Sequence, residues 1–285
     1  MMSHINGEGS MTIHTTEDLL KSKAFDFIHQ KAVEAEKQQK VVVLERVKSR
    51  PVQETDSVVE SNALARAEYR MTLIEKRLMN LAVAKLDSSL ADADQLQDIP
   101  ITAEEYIRIY DVAPNNAYAE MAQAAKRLMN RQLTIRHEGK SYTIYNLLVE
   151  SNYREREGIV VITLNPRLAS QLIGLRDRFT QFMLENVRRF RLFSSARIYE
   201  MMKSVESQGV FELSIEDFKA RVLADPKKYK RFADLKKRVL EPALAEINTL
   251  SDIQVSYEPV RESRKIKRIR FRITQDKQEK LSLTE

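Results

Sequence analysis

The sequence carries an internal duplication, and no other feature constrains the fold as strongly. Five segments recur in the same order: Ala65–Tyr69 as Ala196–Glu200, Ile101–Tyr106 as Leu213–Phe218, Tyr118 as Tyr229, Lys126–Leu128 as Lys237–Val239, and Leu133–Ile135 as Ile253–Val255. The offset is 112 residues at the second segment, 111 at the third and fourth, and 120 at the last. An ordered series in which three consecutive segments keep a nearly constant offset predicts two similar domains in one chain.

Each copy predicts the same order of elements: a helix, a short helix, a long helix and a β-hairpin. The short helix starts at Thr102 or Ser214, whose hydroxyl can accept free amides, and Glu105 or Asp217 can complete a capping box. The long helices are expected over 116–130 and 229–248, and the strands over 132–135, 141–148, 158–164, 252–259 and 266–273. This order is typical of winged-helix domains. The alternative is another α+β fold with a duplicated core, and the placement of charge decides between them.

The duplication also sets the expected domain organisation, which is α+β with two tandem winged-helix domains. Residues 58–173 form the first winged-helix domain and residues 174–275 the second. Residues 1–57 are expected to be a leader that is flexible in part, and residues 276–285 a polar tail.

Composition fits a cytoplasmic protein that binds nucleic acid, with a generic basic surface as the alternative. The 285 residues include 47 Lys and Arg against 41 Asp and Glu, and the net charge of +6 points to basic patches that attract a polyanion. There is no run of about 18 apolar residues and no signal sequence, so no membrane partner is expected. Cysteine is absent, which fits a reducing compartment.

The sequence lacks the motifs of common enzyme classes. The four histidines, His4, His14, His29 and His137, are not spaced as metal ligands. Gly139-Lys140-Ser141 resembles the end of a phosphate-binding loop, but Thr134 stands where that loop needs glycine, so a hairpin turn is predicted. No Gly-x-Ser-x-Gly motif is present. We therefore expect a binding protein with no catalytic residue, metal or cofactor.

The second long helix has the pattern of a DNA-recognition helix. An apolar stripe is predicted to face the core through Phe232, Leu235, Val239, Ala243 and Ile247, with Leu240 and Leu244 beside it. From Lys227 to Arg238 there are seven basic residues and one acidic. The predicted DNA contacts are Lys227, Lys228, Lys230, Arg231, Asp234, Lys237 and Arg238. A solvated face is the alternative, but such faces alternate in sign. Pro242 is expected to kink the helix or to end its DNA-reading part.

The second hairpin predicts a basic wing. Ile269, Phe271 and Ile273 alternate with three arginines, which gives one buried and one basic face. The predicted DNA contacts of this wing are Arg261, Arg264, Lys265, Lys267 and Arg268. Protection of a sheet edge against pairing is the alternative role of such cations.

The first copy is less basic. Its long helix is predicted to turn Tyr118, Met121, Ala125 and Leu128 inward and to offer Asn116, Gln123 and Arg127 to DNA. Its hairpin is rich in tyrosine and leucine, which favours either weaker DNA binding or a protein contact. Between the copies lies a further basic run of Arg176, Arg178, Arg188, Arg189 and Arg191, for which contact with the DNA backbone and simple solubilisation are equally open.

These residues resemble a known family, the iteron-binding plasmid replication initiators. The similar segments are Asn62–Arg70, Glu75–Met79, Ser194–Glu200, Tyr229–Phe232, Leu235–Leu240, Pro242 and Glu246–Asn248. The resemblance runs from Ser61 to Ile273 in order and spacing, and it does not cover the leader.

The resemblance implies a function. Such proteins bind directly repeated origin sites as monomers, help open the duplex, and recruit the host initiator and helicase, with chaperones as further partners. As dimers, formed largely through the first domain, they bind an inverted operator and repress their own synthesis. A transcriptional repressor or architectural DNA-binding protein without a replication role is the alternative. A recombinase or nicking enzyme would need a His-x-x-Arg motif, which is absent.

Overall fold

The computed structural model describes residues 30, 31, 34, 51–86, 98–139, 141–154, 157–173, 175 and 178–274, and of Asn116 only the backbone. The expected tail 276–285 and most of the expected leader lie outside the described residues. The chain divides into two compact units, Met1–Ser49 and Arg50–Glu285. In the first unit Gln30, Lys31 and Glu34 are helical.

The second unit alternates helices and strands. The helices are α1 (Asn62–Ala65), α2 (Leu73–Lys85), α3 (Ala103–Tyr110), α4 (Pro114–Leu128), α5 (Phe193–Lys203), α6 (Ile215–Val222), α7 (Phe232–Leu235) and α8 (Glu241–Leu250). The strands are β1 (Ser57–Ser61), β2 (Glu68–Tyr69), β3 (Asp98–Thr102), β4 (Gln132–Arg136), β5 (Tyr142–Asn146), β6 (Leu148–Arg154), β7 (Ile159–Leu164), β8 (Phe179–Met183), β9 (Val210–Ser214), β10 (Gln254–Glu262) and β11 (Lys265–Thr274). A π-helical segment, Lys236–Leu240, joins α7 to α8.

The first domain combines a helix–turn–helix with a three-stranded antiparallel sheet in the order β3-β7-β6. The predicted capping box of α3 is confirmed, because the Thr102 hydroxyl accepts from the Glu105 N–H and the Glu105 carboxylate accepts from the Thr102 N–H, both at 3.1 Å. Asp111 turns the chain into α4 with a left-handed φ of 49°. α4 packs against α2 and α3, which leaves its opposite side exposed.

The wing of the first domain is not the hairpin that the sequence predicts. In the second domain β10 and β11 pair beside β9, and the equivalent strands of the first are β6 and β7 beside β3. β4 and β5 form an additional hairpin that pairs with β2. The predicted match of Leu133–Ile135 to Ile253–Val255 is therefore wrong, because alternation predicts a strand but not its partner. The single strand predicted over 141–148 is also wrong, since it divides at Leu147, whose N–H donates to Arg131 O at 3.1 Å.

The second domain repeats the plan with a different long helix. Glu246 of α8 anchors the start of α5, because its carboxylate accepts from the N–H groups of Arg191 and Leu192 and from the Ser195 hydroxyl at 2.6 Å. The predicted inward stripe is confirmed at its core positions, with Leu235, Val239, Leu240, Ala243, Leu244 and Ile247 buried. The helix predicted from residue 229 begins at Phe232, since Tyr229 has a left-handed φ of 58°.

The two domains share secondary structure across the boundary expected at residues 173 and 174. β1 pairs antiparallel with β8, from Ser57 opposite Met183 to Ser61 opposite Phe179. Residues 51–57, expected in the leader, pack on the first domain instead. The Val52 side chain is buried and its N–H donates to the Glu105 carboxylate at 3.1 Å.

A fully buried ion cluster joins the domains. Arg197 of α5 donates to Glu200 and to the Tyr69 hydroxyl, each at 2.6 Å, and its guanidinium lies 4.0 Å from the Tyr69 ring centroid. The Lys76 ammonium of α2 lies 2.5 Å from Glu200. Glu60 of β1 completes the set with a buried carboxylate. Two carboxyl groups and two cations thus meet inside the protein, where a charge without a partner would be strongly destabilising.

Candidate nucleic-acid interface

The segment that leads into α7 presents a cluster of exposed cations. Lys227, Lys228, Lys230 and Arg231 are all exposed, and the Lys228 ammonium lies 5.2 Å from the Tyr229 ring centroid. Tyr229 is half-buried and packs against the core, so it fixes the segment to the domain. The four cations therefore stand at the N-terminal end of the helix, the end that helix–turn–helix proteins direct to base edges.

The helix itself contributes two further cations without ionic partners in the described part of the chain. Lys237 and Arg238 are exposed on consecutive positions of the π-helical segment. Asp234, the predicted acceptor for cytosine, lies 3.8 Å from Arg231. Lys236 lies 3.5 Å from Glu241. Lys237 and Arg238 are therefore the side chains of this helix most available to an incoming polyanion.

The basic face predicted for the second wing is largely neutralised by neighbouring strands. Arg268 and Arg270 of β11 bind Glu212 of β9 at 2.7 and 2.6 Å, and Arg270 and Arg272 bind Glu258 of β10 at 2.9 and 3.2 Å. Arg268, a predicted DNA contact, is thus part of an ion-pair ladder.

The tip of the same wing keeps its charge. Arg261, Arg264, Lys265 and Lys267 are exposed, and no ion pair is recorded for them among the described residues. The register of β10 and β11 shifts between Val260 and Arg261, so regular alternation does not continue from Ile269 to the tip of the hairpin. The four cations of the tip are therefore available to an incoming polyanion.

In the first domain Arg127 has a structural role. Its Nε lies 2.7 Å from Glu75, which Arg131 also binds at 2.9 Å. Burial raises the pKa of Glu75, but the hydrogen bonds from Arg131 and Arg127 outweigh it and the pKa is lowered. Arg127 is therefore bound to a buried carboxylate, while Gln123 is exposed. Lys126, which belongs to the repeated segment but is not among the predicted contacts, is also exposed.

Tyr118 does not face inward as predicted. Its side chain is 42% exposed, and the buried face of α4 is formed by Ala117, Met121, Ala124, Ala125 and Leu128. The ring lies against Gly158 at the end of the wing turn, so closely that a Cβ there would stand 2.5 Å from the ring. Gly158 has a φ of +63° and its carbonyl accepts from Ala103 N–H at 2.8 Å. The glycine thus lets the wing approach α4. Asn116 also lies on α4, and its side chain is outside the described residues.

A cleft between the domains is lined by several arginines of the basic run between the two copies. Its volume is about 620 Å³, and its walls include Arg77, Asp111, Arg188, Arg189 and Arg191. Arg188 lies 3.1 Å from Glu54. Arg189 and Arg191 are exposed. Arg178 adopts a left-handed φ of 55°, and Arg176 lies outside the described residues.

Within the described ranges no group of three or more His, Cys, Asp or Glu side chains could hold a metal ion. No helix in this part of the chain is long and apolar enough to cross a membrane.

Two family models match the chain over most of these elements. One, "Initiator Replication protein, WH1", covers residues 57–203, and the other, "Initiator Rep protein, WH2", covers residues 214–273. The chain belongs to this replication initiator family. The resemblance stated from the sequence and the fold of two winged-helix domains are both confirmed.

Individual proteins agree with the family models. A replication initiation protein of Escherichia coli is 25% identical over 205 residues, which are 70% of this chain and 64% of that protein, so the chain spans just under two thirds of that relative. An uncharacterized 27.6 kDa protein of Escherichia coli is 24% identical over 210 residues, 88% of its length. The crystal structure of the Pi initiator protein in complex with iteron DNA matches with a TM-score of 0.65 and 22% identity, over 79% of this chain and 100% of that one.

Proposed function

We propose that the protein initiates replication of a bacterial plasmid by binding directly repeated sites, iterons, at the origin. The observation that carries this proposal is the pair of winged-helix domains that both belong to the initiator family. The fold match to an initiator protein in complex with iteron DNA supports it. Two helix–turn–helix units in one rigidly linked chain suit a site that spans about two turns of duplex, since half-sites lie about one turn apart.

The second domain is the main reader of sequence in this proposal. It holds seven exposed cations at the start of the recognition helix and on the π-helical segment, two of them in ion pairs, and four more at the wing tip. The first domain offers Gln123 and Lys126 on α4, while its Arg127 is engaged by Glu75. Its wing carries Glu150 and an Arg154–Glu157 pair at 3.4 Å, so it attracts phosphate weakly.

The asymmetry between domains is tested by paired substitutions. Lys237→Ala with Arg238→Ala should weaken binding to one origin repeat by about 1–3 kcal/mol per lost base contact. Gln123→Ala with Lys126→Ala, the matched pair on α4, should cost less. Fluorescence anisotropy on the repeat and on a scrambled duplex measures both, and equal losses from the two pairs would contradict the assignment.

The replication role is separated from simple repression by a plasmid assay. A minimal plasmid that carries the origin repeats should replicate only when the protein is supplied, and the Lys237/Arg238 double variant should fail to support it. If the protein binds the repeats and represses a promoter, yet the plasmid replicates equally well without it, the chain is a repressor.

A dimeric, self-repressing form belongs to the same proposal. β5 is an edge strand that exposes Tyr142 and Ile144, at 56% and 51%, and no strand of the described residues pairs with its outer edge. Such an edge can pair with its twin across a two-fold axis. Two second domains would then reach inverted half-sites of an operator, while the monomer binds the direct repeats.

The remaining parts of the proposal rest on family membership. They are recruitment of the host initiator and helicase, with chaperones as further partners, and work in the bacterial cytoplasm without catalytic chemistry of its own. Co-purification of the host helicase with origin DNA and the protein, but not with either alone, tests the recruitment step.

A further inference from the structure

The backbone of the recognition helix has an irregular hydrogen-bond pattern before Pro242. The Glu241 N–H donates to the carbonyl of Lys236, five residues earlier. Pro242 has no N–H to donate. The carbonyl of Lys237 therefore receives no hydrogen bond from the helix ladder. Its usual α-helical donor would be the N–H of Glu241, and its π-helical donor would be the N–H of residue 242.

The side chains follow the same irregular geometry. Lys236 and Glu241 meet at 3.5 Å although they are five positions apart, a spacing at which side chains do not face each other on a regular helix. The ion pair with Glu241 makes the Lys236 ammonium less available to DNA. The side chains of Lys237 and Arg238 remain exposed. The carbonyl without a helical hydrogen bond is that of Lys237 itself.

The sequence explains why the wide turn forms here. The core positions Leu235, Val239, Ala243 and Ile247 repeat at steps of four, all buried. At about 100° per residue each such step drifts by about 40° on a regular helix, so three steps would carry the stripe far around the axis. One wider turn absorbs part of that drift and keeps the stripe on the core. Such π-helical turns are frequent at functional sites.

The exposed face that results is rich in donors and poor in acceptors. Lys237 and Arg238 can donate to guanine or to phosphate, while Asp234 is engaged near Arg231. The Lys237 carbonyl receives no donor from either helical ladder and belongs to an exposed residue of this helix, so it can supply the missing acceptor. The bases that present a donor in the major groove are cytosine, through N4, and adenine, through N6.

We propose that the Lys237 carbonyl oxygen is a specificity-determining acceptor that receives a hydrogen bond from a base amino group, cytosine N4 or adenine N6, in the major groove. Pro242 is the positioning residue that keeps this oxygen free. The proposal deepens the proposed function and rests on it, since it requires that the second domain read the origin repeat.

The test combines base analogues with two protein variants. The probe is a duplex with one origin repeat, delimited first by footprinting, in which each adenine is replaced in turn by purine and each cytosine by 2-pyrimidinone, so that single amino groups are lost. Pro242→Ala restores an N–H that gives the Lys237 carbonyl an intrahelical donor in either helical register. Lys237→Ala is the matched control, because it removes the side chain and leaves the carbonyl.

For wild type, loss of one particular amino group should weaken binding about three- to tenfold, the net value of one hydrogen bond. The Lys237→Ala variant should show the same loss at the same position. Pro242→Ala should bind the unmodified repeat with an unchanged salt dependence, yet show no loss at that position.

Two outcomes overturn the inference. One is a wild-type protein that prefers the repeat but loses less than twofold for every amino group removed. The other is a folded Pro242→Ala variant, checked by circular dichroism, that keeps the full amino dependence. If Pro242→Ala does not fold, the wild-type and Lys237→Ala scans decide alone. Absence of any preference for the repeat would instead overturn the proposed function.

Discussion

Glu60 is the residue at which the domain interface becomes sensitive to pH. Burial raises its pKa to about 7, although Lys76 and Arg197 act in the opposite direction. Its Oε1 has no hydrogen-bond partner among the described residues. Between its ordinary pKa of 4.5 and about 7, the folded state holds a proton that the unfolded state has lost, so stability falls as pH rises through this window.

Replacement of Glu60 by glutamine should therefore change stability in a pH-dependent way. At pH 5 the folded wild type is protonated at this site and Glu60→Gln should be nearly neutral. Between pH 5 and pH 8 the difference in unfolding free energy between variant and wild type should grow by about 1–3 kcal/mol in favour of the variant. One pKa unit corresponds to about 1.4 kcal/mol. Urea unfolding at both pH values measures this. The exposed Glu138→Gln should follow wild type, and a pH-independent difference for Glu60→Gln would contradict the account.

Residue patterns in the sequence predict which face of a helix or strand is buried, but they do not predict which side chains form ion pairs. The buried stripe of the recognition helix and the inward Ile269, Phe271 and Ile273 follow from periodicity alone. Arg127 looks like a DNA contact in the sequence because nothing nearby on α4 shows that Glu75, 52 residues earlier, binds it. The sequence does not predict the buried ion cluster for the same reason. Its members come from β1, α2 and α5, and each taken alone resembles an ordinary surface charge.

The edge strand β5 is the element that carries the proposed dimer. Ile144→Lys places a charge among the apolar side chains of this edge, so it should shift the protein to monomer and weaken inverted-operator binding at least tenfold while direct-repeat binding is kept. Val149→Lys, on the edge of the other sheet, is the matched control and should leave the dimer intact. Analytical ultracentrifugation with both DNA sites checks this. Loss of both activities in a folded Ile144→Lys variant, or a dimer that persists, would refute it.

At the scale of elements the sequence predicts strands but not the sheets they join. The hairpin around Gly139 is present, with His137 N–H donating to Ser141 O at 3.0 Å, yet it pairs with β2 rather than serving as the wing. The π-helical segment was also not predicted. A proline within a helical pattern indicates a kink, but which turn widens depends on the core that the helix must face.

For the whole molecule, the distribution of unpaired cations predicts how binding responds to salt. At the recognition helix and the wing tip, nine exposed cations form no ion pair with the described residues. They make about 6–10 phosphate contacts plausible, so affinity for the repeat should fall about a thousandfold or more between 50 and 200 mM salt. Lys265→Ala with Lys267→Ala should lower the slope of log affinity against log salt by about 2. Arg268→Ala with Arg272→Ala, on the ion-paired outer face, should lower it less. A nearly flat response in wild type, or equal effects of the two pairs, would contradict this distribution.

The buried ion cluster has a consequence for how such chains can exchange parts by recombination. A breakpoint between residues 173 and 174, the border that the duplication suggests, would part Arg197 and Glu200 from Lys76 and Glu60 and divide β1 from β8. A mismatched partner would then leave a buried charge alone, at a cost of about 3–5 kcal/mol. A breakpoint between Lys203 and Val210 leaves all four charges together. Such a breakpoint still separates Glu246 of α8 from the start of α5, so a recombinant that keeps the buried cluster also needs an α8 that can anchor that helix.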